Sequence, residues 1–218
     1  MARLLKFIER GERLAHDCAQ AQAALAPAAG MRRFLLGQAR QEGLHAVAFK
    51  WAIGWLAPRH VGEAPFLKPF DQYAKLLHTA LERKDFAESL LAEQIILEGL
   101  GEALLKKIEA GLSKRKAPFK KLRRMLLHQE EAHHAFGVRN LQRAIDRQEI
   151  STEQLCNQAQ EYLLLAESMI SSVTDLFDAI DENPKDYLAE FHRHLPSWLD
   201  PNSQSGNHQL FPFQQTEN

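Results

Sequence analysis

Apolar residues recur at three- to four-residue spacing along most of the chain, and few segments show the strict alternation that is typical of a strand. The second of these periodic segments illustrates the pattern with one apolar stripe, which consists of Met31, Leu35, Phe49 and Leu56. The pattern predicts an all-α protein with helices over about 2–26, 31–56, 70–83, 85–111, 119–148 and 151–179, and a last short helix from Pro184 to just before Pro196.

Turn residues divide the chain between these helices. The segment Pro27-Ala-Ala-Gly30 ends the first helix, and prolines and glycines between Pro58 and Pro69 separate the second long helix from the third. Residues 200–218 are rich in Pro, Ser, Gln and Asn and are predicted to form a flexible tail. We therefore expect a single domain over 1–199, with a core of four long helices over about 2–148 and additional helices over about 151–198.

Composition narrows the class of protein. The chain has 218 residues and a formal net charge of −1, which excludes a globally basic nucleic-acid binder. Its two cysteines are far apart and form no CxxC pair, which excludes a disulfide framework and a thiolate zinc site. The start carries charges within its short apolar stretch, and no run of about 18 apolar residues occurs. These features favour a cytoplasmic protein with no membrane partner.

Two helices carry the same short motif of an amide, a carboxylate and an imidazole. The second long helix (about 31–56) contains Gln41-Glu42-Gly43-Leu44-His45, and the fourth long helix (about 119–148) contains Gln129-Glu130-Glu131-Ala132-His133. Residues i and i+3 lie on one face of a helix, so each Glu and His pair can bind one metal ion together. Two such helices, with one glutamate from each of two further helices, form a two-metal carboxylate site in a four-helix bundle. Because buried carboxylates without cations are costly, the pattern predicts metal binding.

The first and third long helices each offer two glutamates for this site. We choose Glu12 over Glu9, because Glu12 continues the apolar stripe of Leu5, Ile8, Ala15 and Ala19. We choose Glu98 over Glu93, because Glu98 lies level with Glu130 across an antiparallel hairpin, whereas Glu93 would lie about 7 Å too far along. The apolar pattern of this helix, if anything, favours Glu93, which stays open as the alternative. The predicted ligands are therefore Glu12, Glu42, His45, Glu98, Glu130 and His133.

The fourth helix contains a second, overlapping pair, Glu131 with His134. The apolar residues of this helix point close to Glu130 and His133, and well away from Glu131. The repeated glutamine before the glutamate favours the same register. The sequence nevertheless leaves Glu131 and His134 open as the alternative pair.

Two segments carry a resemblance to a known superfamily. Ile96-Leu97-Glu98-Gly99-Leu100 and Glu130-x-x-His133-x-x-Phe136-Gly137 resemble the third- and fourth-helix patterns of ribonucleotide-reductase-small-subunit-like oxidases, which are carboxylate-bridged di-iron proteins of the ferritin-like superfamily. The resemblance covers about residues 1–148. It implies a ferritin-like bundle, in which the connection of about 29 residues between the second and third long helices forms one long crossover. Gln129 is a departure, because an aspartate commonly precedes this glutamate.

The resemblance also implies a function. A site of this kind would hold two iron ions, with manganese possible in one position, and would oxidise an organic substrate with O2 as a monooxygenase or hydroxylase does. An external electron donor is expected, and the protein would be a monomer or a homodimer. The alternative is a non-catalytic ferritin-like module for iron binding or storage.

Further expectations concern the substrate and the surface. An oxygenase needs an apolar cavity beside the metals, and the residues predicted to line it are Leu35, Leu97, Met125, Leu126 and Phe136. A basic corner over residues 106–124 could bind a carrier-linked or phosphate-bearing partner. The tryptophans, Trp51, Trp55 and Trp198, are predicted to be packing residues.

Overall fold

The computed structural model describes residues 2–57, 65–114, 116, 119–174, 177 and 183–199. These residues form helices and no strand, as the apolar pattern predicts. The helices are α1 (Ala2–Leu25), α2 (Ala29–Leu56), α3 (Leu67–Glu82), α4 (Phe86–Leu90), a π-helical segment (Leu91–Leu97), α5 (Glu98–Lys114), α6 (Lys120–Asp146), α7 (Thr152–Ser171), α8 (Pro184–His194) and a 3₁₀ turn (Ser197–Leu199). The predicted tail at 200–218 lies outside the described residues.

The first two helices form an antiparallel hairpin. They pack along their length, and His16 Nδ1 on α1 lies 2.6 Å from the carbonyl oxygen of Ala39 on α2. The buried stripe of α1 includes Leu4, Phe7, Leu14 and Cys18. α2 begins at Ala29, two residues before the predicted start, and its N-cap has no side-chain hydrogen bond.

The long helix predicted over about 85–111 is present but is not regular. Asp85 is its N-cap, as predicted, and the Asp85 carboxylate accepts a hydrogen bond of 2.9 Å from the backbone N–H of Glu88. The chain then continues without a break from α4 through the π-helical segment into α5, which ends at Lys114. In a π-helix each N–H bonds the carbonyl five residues earlier, and the N–H of Glu98 bonds the carbonyl of Glu93 in this way. Glu93 and Glu98 therefore face the same side.

The second hairpin consists of α5 and α6. Salt bridges from Arg123 to Glu109 and from His134 to Glu102 join the two helices in antiparallel register. Between α2 and α6 the paired residues are Gln41 with His133 and His45 with Gln129, so these helices are also antiparallel. Since α2 and α5 are then parallel, the connection that contains α3 must return the chain to the starting end of α2. This is the predicted long crossover.

The remaining helices cover one side of the core. α7 packs against α3 and the π-helical segment, and α8 packs against α5. α7 ends at Ser171, a two-residue turn follows, and Thr174 and Phe177 are helical again, while the predicted end at about Ala179 lies outside the described residues. The Ser172 hydroxyl donates to the carbonyl of Met169, and serine side chains that compete for backbone carbonyls favour helix ends. In the described part of the chain, no helix combines the length and apolarity that crossing a bilayer requires.

Candidate metal centre

The six residues predicted as metal ligands lie together in the middle of the bundle. They form two groups, in each of which one ligand atom per residue lies within 4.8 Å of the others. The first group is Glu12, Glu42, His45 and Glu130, and the second is Glu42, Glu98, Glu130 and His133. Glu42 and Glu130 belong to both groups, as carboxylates that bridge two ions would. All six side chains are buried.

Each of the four core helices contributes to this centre. The Glu-x-x-His spacing places Glu42 one turn from His45 on α2, and Glu130 one turn from His133 on α6. α1 supplies Glu12. Glu98 is the first residue of α5 and directly follows the π-helical segment, so the irregular stretch of this helix ends at the centre.

Both histidines are held in one orientation by the glutamine of the opposite motif. His45 Nε2 lies 2.8 Å from Gln129 Oε1, and His133 Nε2 lies 2.8 Å from Gln41 Oε1. An amide oxygen only accepts hydrogen bonds, so in this assignment the Nε2 atoms carry protons. The Nδ1 atoms then face the carboxylates, and His45 Nδ1 lies 3.0 Å from Glu12 Oε2 and 3.1 Å from Glu42 Oε2.

Several buried atoms of the centre lack a hydrogen-bond partner within the described residues. They are Glu42 Oε1, Glu130 Oε1 and His133 Nδ1. His133 Nδ1 lies only 2.6 Å from Glu42 Oε1, yet the two are not oriented as a hydrogen bond. Atoms that converge without bonding one another are arranged as metal ligands are, and oxygen and imidazole donors suit iron or manganese. The residues present therefore fit a two-metal site.

The electrostatics of the centre also call for cations. Burial, with the charges of Glu12 and Glu42, raises the pKa of Glu130 to about 8. Burial raises the pKa of Glu12 and of Glu98 well above the ordinary value. At Glu42 the contacts with His133 and His45 outweigh burial and lower the pKa to about 2. Without metal, the carboxylates thus share protons among themselves, and two divalent ions would balance four carboxylate charges.

A fifth buried carboxylate, Glu93, lies beside the centre. The Gln38 amide donates to Glu93 Oε1 at 3.0 Å and to Glu98 Oε1 at 2.8 Å, and so joins the two. Burial, followed by the charge of Glu98, raises the pKa of Glu93. Glu98 belongs to a ligand group and Glu93 does not. Sequence spacing alone placed Glu93 too far along, because it assumed a regular α-helix.

Three more acidic or imidazole side chains on α1 and α6 lie near the centre but outside both ligand groups. Glu9 is buried but pairs with Arg13 on its own helix. Glu131 is partly exposed and lies 3.8 Å from Lys106 Nζ. His134 Nδ1 lies 3.2 Å from Glu102, in a separate polar cluster that fixes α8 to α5 and α6 through His194. The structure brings Glu130 and His133 to the centre, and their role as ligands stays a prediction.

An apolar cavity ends on the centre between α1 and α5. Its enclosed volume is about 40 Å³, and the figure is about 420 Å³ only when the open solvent at its mouth is counted. Its walls are Phe7, Ile8, Gly11, Ala15, Leu97, Leu100, Gly101 and Leu104, and its polar end consists of Glu12, Glu98 and Glu130. Gly11 is important to its width, since no atom lies within 4 Å of where a Cβ would stand.

The predicted lining of this cavity is largely wrong, because only Leu97 belongs to it. Leu35 and Phe136 are buried, and Phe136 stacks on Phe34 at a ring distance of 4.0 Å. Met125 is 52% exposed and Leu126 is partly exposed. Proximity along the helices was the basis of the prediction, and it did not identify which pair of helices leaves a gap.

Comparison with known proteins gives a structural relative. No protein-family model matches the chain, and no curated protein matches its sequence. Among solved structures, the chain is similar to a protein from Synechococcus, described as Protein 19 with aldehyde deformylating oxidase activity. The TM-score is 0.74 at 22% sequence identity, over 91% of this chain and 87% of that chain. The architecture and this similarity confirm the predicted all-α ferritin-like fold.

Proposed function

We propose that this protein is an O2-dependent di-iron oxidase, of the monooxygenase or hydroxylase type, that acts on an apolar organic substrate. The observation that carries the proposal is the pair of buried ligand groups, which share Glu42 and Glu130 and form the end of an apolar cavity. The ferritin-like fold is compatible with this chemistry, although a fold by itself does not establish a function.

In this proposal the six residues divide between two ions. Glu12 and His45 would complete one site, Glu98 and His133 the other, and Glu42 and Glu130 would bridge them. When bound, the two irons would supply the redox chemistry with O2 that no side chain can supply. Nitrogen and oxygen donors also accept manganese, which could replace iron in one position.

The chain's own residues would hold the ligands, bind the substrate and exclude water. Gln41 and Gln129 orient the histidines, and Gln38 orients Glu98. The apolar walls of the cavity would bind a hydrocarbon portion of the substrate and place its reacting carbon near Glu12, Glu98 and Glu130. Because the Synechococcus protein is described as acting on aldehydes, apolar aldehydes are the first substrates to test. Electrons would come from an external donor.

The metal part of the proposal is tested by loading and oxidation. Anaerobic addition of iron should give close to two ions per chain, and exposure to O2 should then produce an optical change of the oxidised centre. Glu42→Ala and Glu98→Ala should each reduce bound iron, because each removes a ligand. Glu131→Ala is the matched control, since Glu131 lies next to a proposed ligand but outside both groups. Full metal content in the first two variants would contradict the proposal.

The substrate part needs a separate test. Gly11→Leu should fill the cavity with a side chain while leaving the ligands in place, and leucine has the better helix propensity. We expect at least a tenfold loss of turnover with long apolar substrates and unchanged iron content. Gly30→Leu, at an exposed position with no atom near its Cβ, is the control. If Gly11→Leu keeps full turnover, the cavity is not the substrate site. Assembly into a closed cage with no substrate oxidation would favour the storage alternative.

A further inference from the structure

Large apolar side chains are exposed on α2 and α6 at one end of the bundle. Trp51 is 77% exposed, Trp55 is 83% exposed and Phe119 is 74% exposed. The prediction that Trp51 and Trp55 are packing residues is therefore wrong. We call the following set the apolar end face: Leu44, Val47, Trp51, Trp55, Phe119, Leu122 and Met125, all of which are exposed.

The register of the two helices places these residues on one surface. Since His45 pairs with Gln129 and the helices are antiparallel, α2 beyond His45 runs level with α6 before Gln129. Leu122 and Met125 lie two turns and one turn before Gln129, on the side of α6 that faces α2. Leu44 shares a side of α2 with Gln41, which contacts α6. The two sets of apolar residues thus lie on one surface.

Within the two described helix segments that form this surface, the lysine and arginine side chains have no acidic counterpart. Residues 44–57 of α2 and 119–128 of α6 contain no aspartate or glutamate, and their cations are Lys50, Lys120, Lys121, Arg123 and Arg124. Arg123 is paired with Glu109 on α5, and Lys50, Lys120, Lys121 and Arg124 are exposed. Exposed apolar residues of this extent, surrounded by cations, indicate a binding surface for an anionic and apolar partner.

We propose that the apolar end face binds the surface of an anionic lipid membrane. Tryptophan and other apolar side chains flanked by Lys and Arg are the pattern of proteins that lie on a bilayer. An isologous dimer through the same face would bring the cations of two copies together, which disfavours self-association. Residues 200–218 contain only Asp200 and Glu217 as acidic side chains, and so offer these cations little charge. This departs from the sequence-based expectation of no membrane partner, which rested on the lack of a spanning segment, because a protein that lies on the membrane surface needs no spanning helix.

The cavity of the proposed function lies towards the same end of the bundle as the apolar end face. The cavity is lined by α5 residues that follow Glu98, and the parallel course of α2 and α5 places them towards the apolar end face. The cavity itself lies between α1 and α5, whereas the apolar end face lies on α2 and α6, so the two share an end of the bundle but not a pair of helices. The membrane proposal itself requires neither metal nor substrate, so its failure would leave the proposed function untouched.

Vesicle binding of the full chain tests the proposal. The protein should sediment with vesicles of phosphatidylcholine that contain about 30% phosphatidylglycerol. It should bind pure phosphatidylcholine at least tenfold more weakly, and added salt should weaken binding to the anionic vesicles. Tryptophan fluorescence should shift to the blue on binding, because Trp51 and Trp55 leave water. The variants Trp51→Ser/Trp55→Ser and Lys120→Glu/Lys121→Glu should each reduce affinity roughly tenfold or more.

Matched variants separate a specific face from general stickiness. Arg139→Glu/Arg143→Glu makes the same charge change at exposed positions on the other end of α6, and Leu164→Ser removes an exposed apolar residue of α7. Both should bind vesicles as the wild type does. The proposal is overturned if these controls lose as much affinity as the face variants, or if the wild type does not bind. Two other outcomes would also overturn it, each in the absence of vesicle binding. If Trp51→Ser/Trp55→Ser abolishes a dimer, the face is a dimer interface. If deletion of 200–218 alone shifts the tryptophan fluorescence, the chain's own last residues cover the face.

Discussion

At the residue scale, the two motifs support each other. The glutamine of each motif contacts the histidine of the other, so Gln41 and Gln129 connect α2 to α6 at the centre. The sequence showed the repeated glutamine, but it could not show that the contacts cross between helices. It also raised the question of what replaces an aspartate at position 129. In the structure, the neutral amide oxygen of Gln129 accepts a hydrogen bond from Nε2–H of His45.

Removal of one glutamine should weaken metal binding without removing a ligand. In Gln129→Leu the Nε2 atom of His45 would lose its buried partner, and the ring would no longer be fixed with Nδ1 towards the carboxylates. Loss of such an outer contact typically costs about 10- to 100-fold in metal affinity. Competition with a chelator for Mn²⁺ measures this directly.

A matched variant controls for the change in side chain. Gln142→Leu makes the same replacement on α6, where the exposed Gln142 bonds only Asp146 within the described contacts. It should keep the affinity of the wild type. Equal affinity in Gln129→Leu and wild type would show that the hydrogen bond does not position His45.

At the element scale, periodicity predicted the helices well, but not their irregularities. The six long or medium helices begin within a few residues of their predicted starts, and all but α7 also end within a few residues of their predicted ends. The π-helical segment could not be predicted from the sequence, because its residues (Leu91–Leu97) are as apolar as those of an ordinary buried α-helix. The consequence was local. An α-helical spacing separates Glu93 from Glu98 by more than a turn, whereas both contact Gln38 in the structure.

The close packing of α6 on the π-helical segment depends on Gly137. A Cβ at this position would lie 2.5 Å from Gln94 Cβ and 3.3 Å from the Gln94 carbonyl carbon. Gly137→Ala should therefore force the helices apart and lower the free energy of unfolding by about 1–3 kcal/mol, despite the better helix propensity of alanine. Urea unfolding followed by circular dichroism measures the change.

The control for this prediction is a glycine with free space. No atom lies within 4 Å of a Cβ at Gly37 in α2, so Gly37→Ala should raise the free energy of unfolding by about 0.5–1 kcal/mol. If both variants are stabilised, the packing at Gly137 is looser than the structure indicates.

At the scale of the whole molecule, the centre lies between two hairpins. α1 packs along α2, and α5 along α6, while the two hairpins meet through Phe34 with Phe136, the glutamines and the six centre residues. Beyond the centre, α2 and α6 expose apolar residues instead of burying them. Four carboxylates, Glu12, Glu42, Glu98 and Glu130, thus lie where the hairpins meet, and their negative charges repel one another when ionised. Bound metal ions would offset this repulsion and would be held by residues of both hairpins.

This arrangement predicts how metal and pH together set stability. In the metal-free protein Glu130 has a pKa of about 8, against about 4.3 in an unfolded chain. Between these values the folded state keeps a proton that the unfolded state releases, so stability falls as pH rises through this window. Glu12 and Glu98 act with the same sign, whereas Glu42, with a pKa of about 2, contributes only at acidic pH.

Metal replaces these protons, so the rise in Tm on adding Mn²⁺ should grow from pH 5.5 to pH 8, while the Tm of the metal-free protein falls. Calorimetry with and without Mn²⁺ across this range tests both trends. In Glu130→Gln, which holds no titrating proton at this position, the metal-free protein should show a shallower pH dependence and a smaller response to metal. A metal-induced shift that is constant with pH, or equal in Glu130→Gln and wild type, would mean that the metal does not bind among these carboxylates.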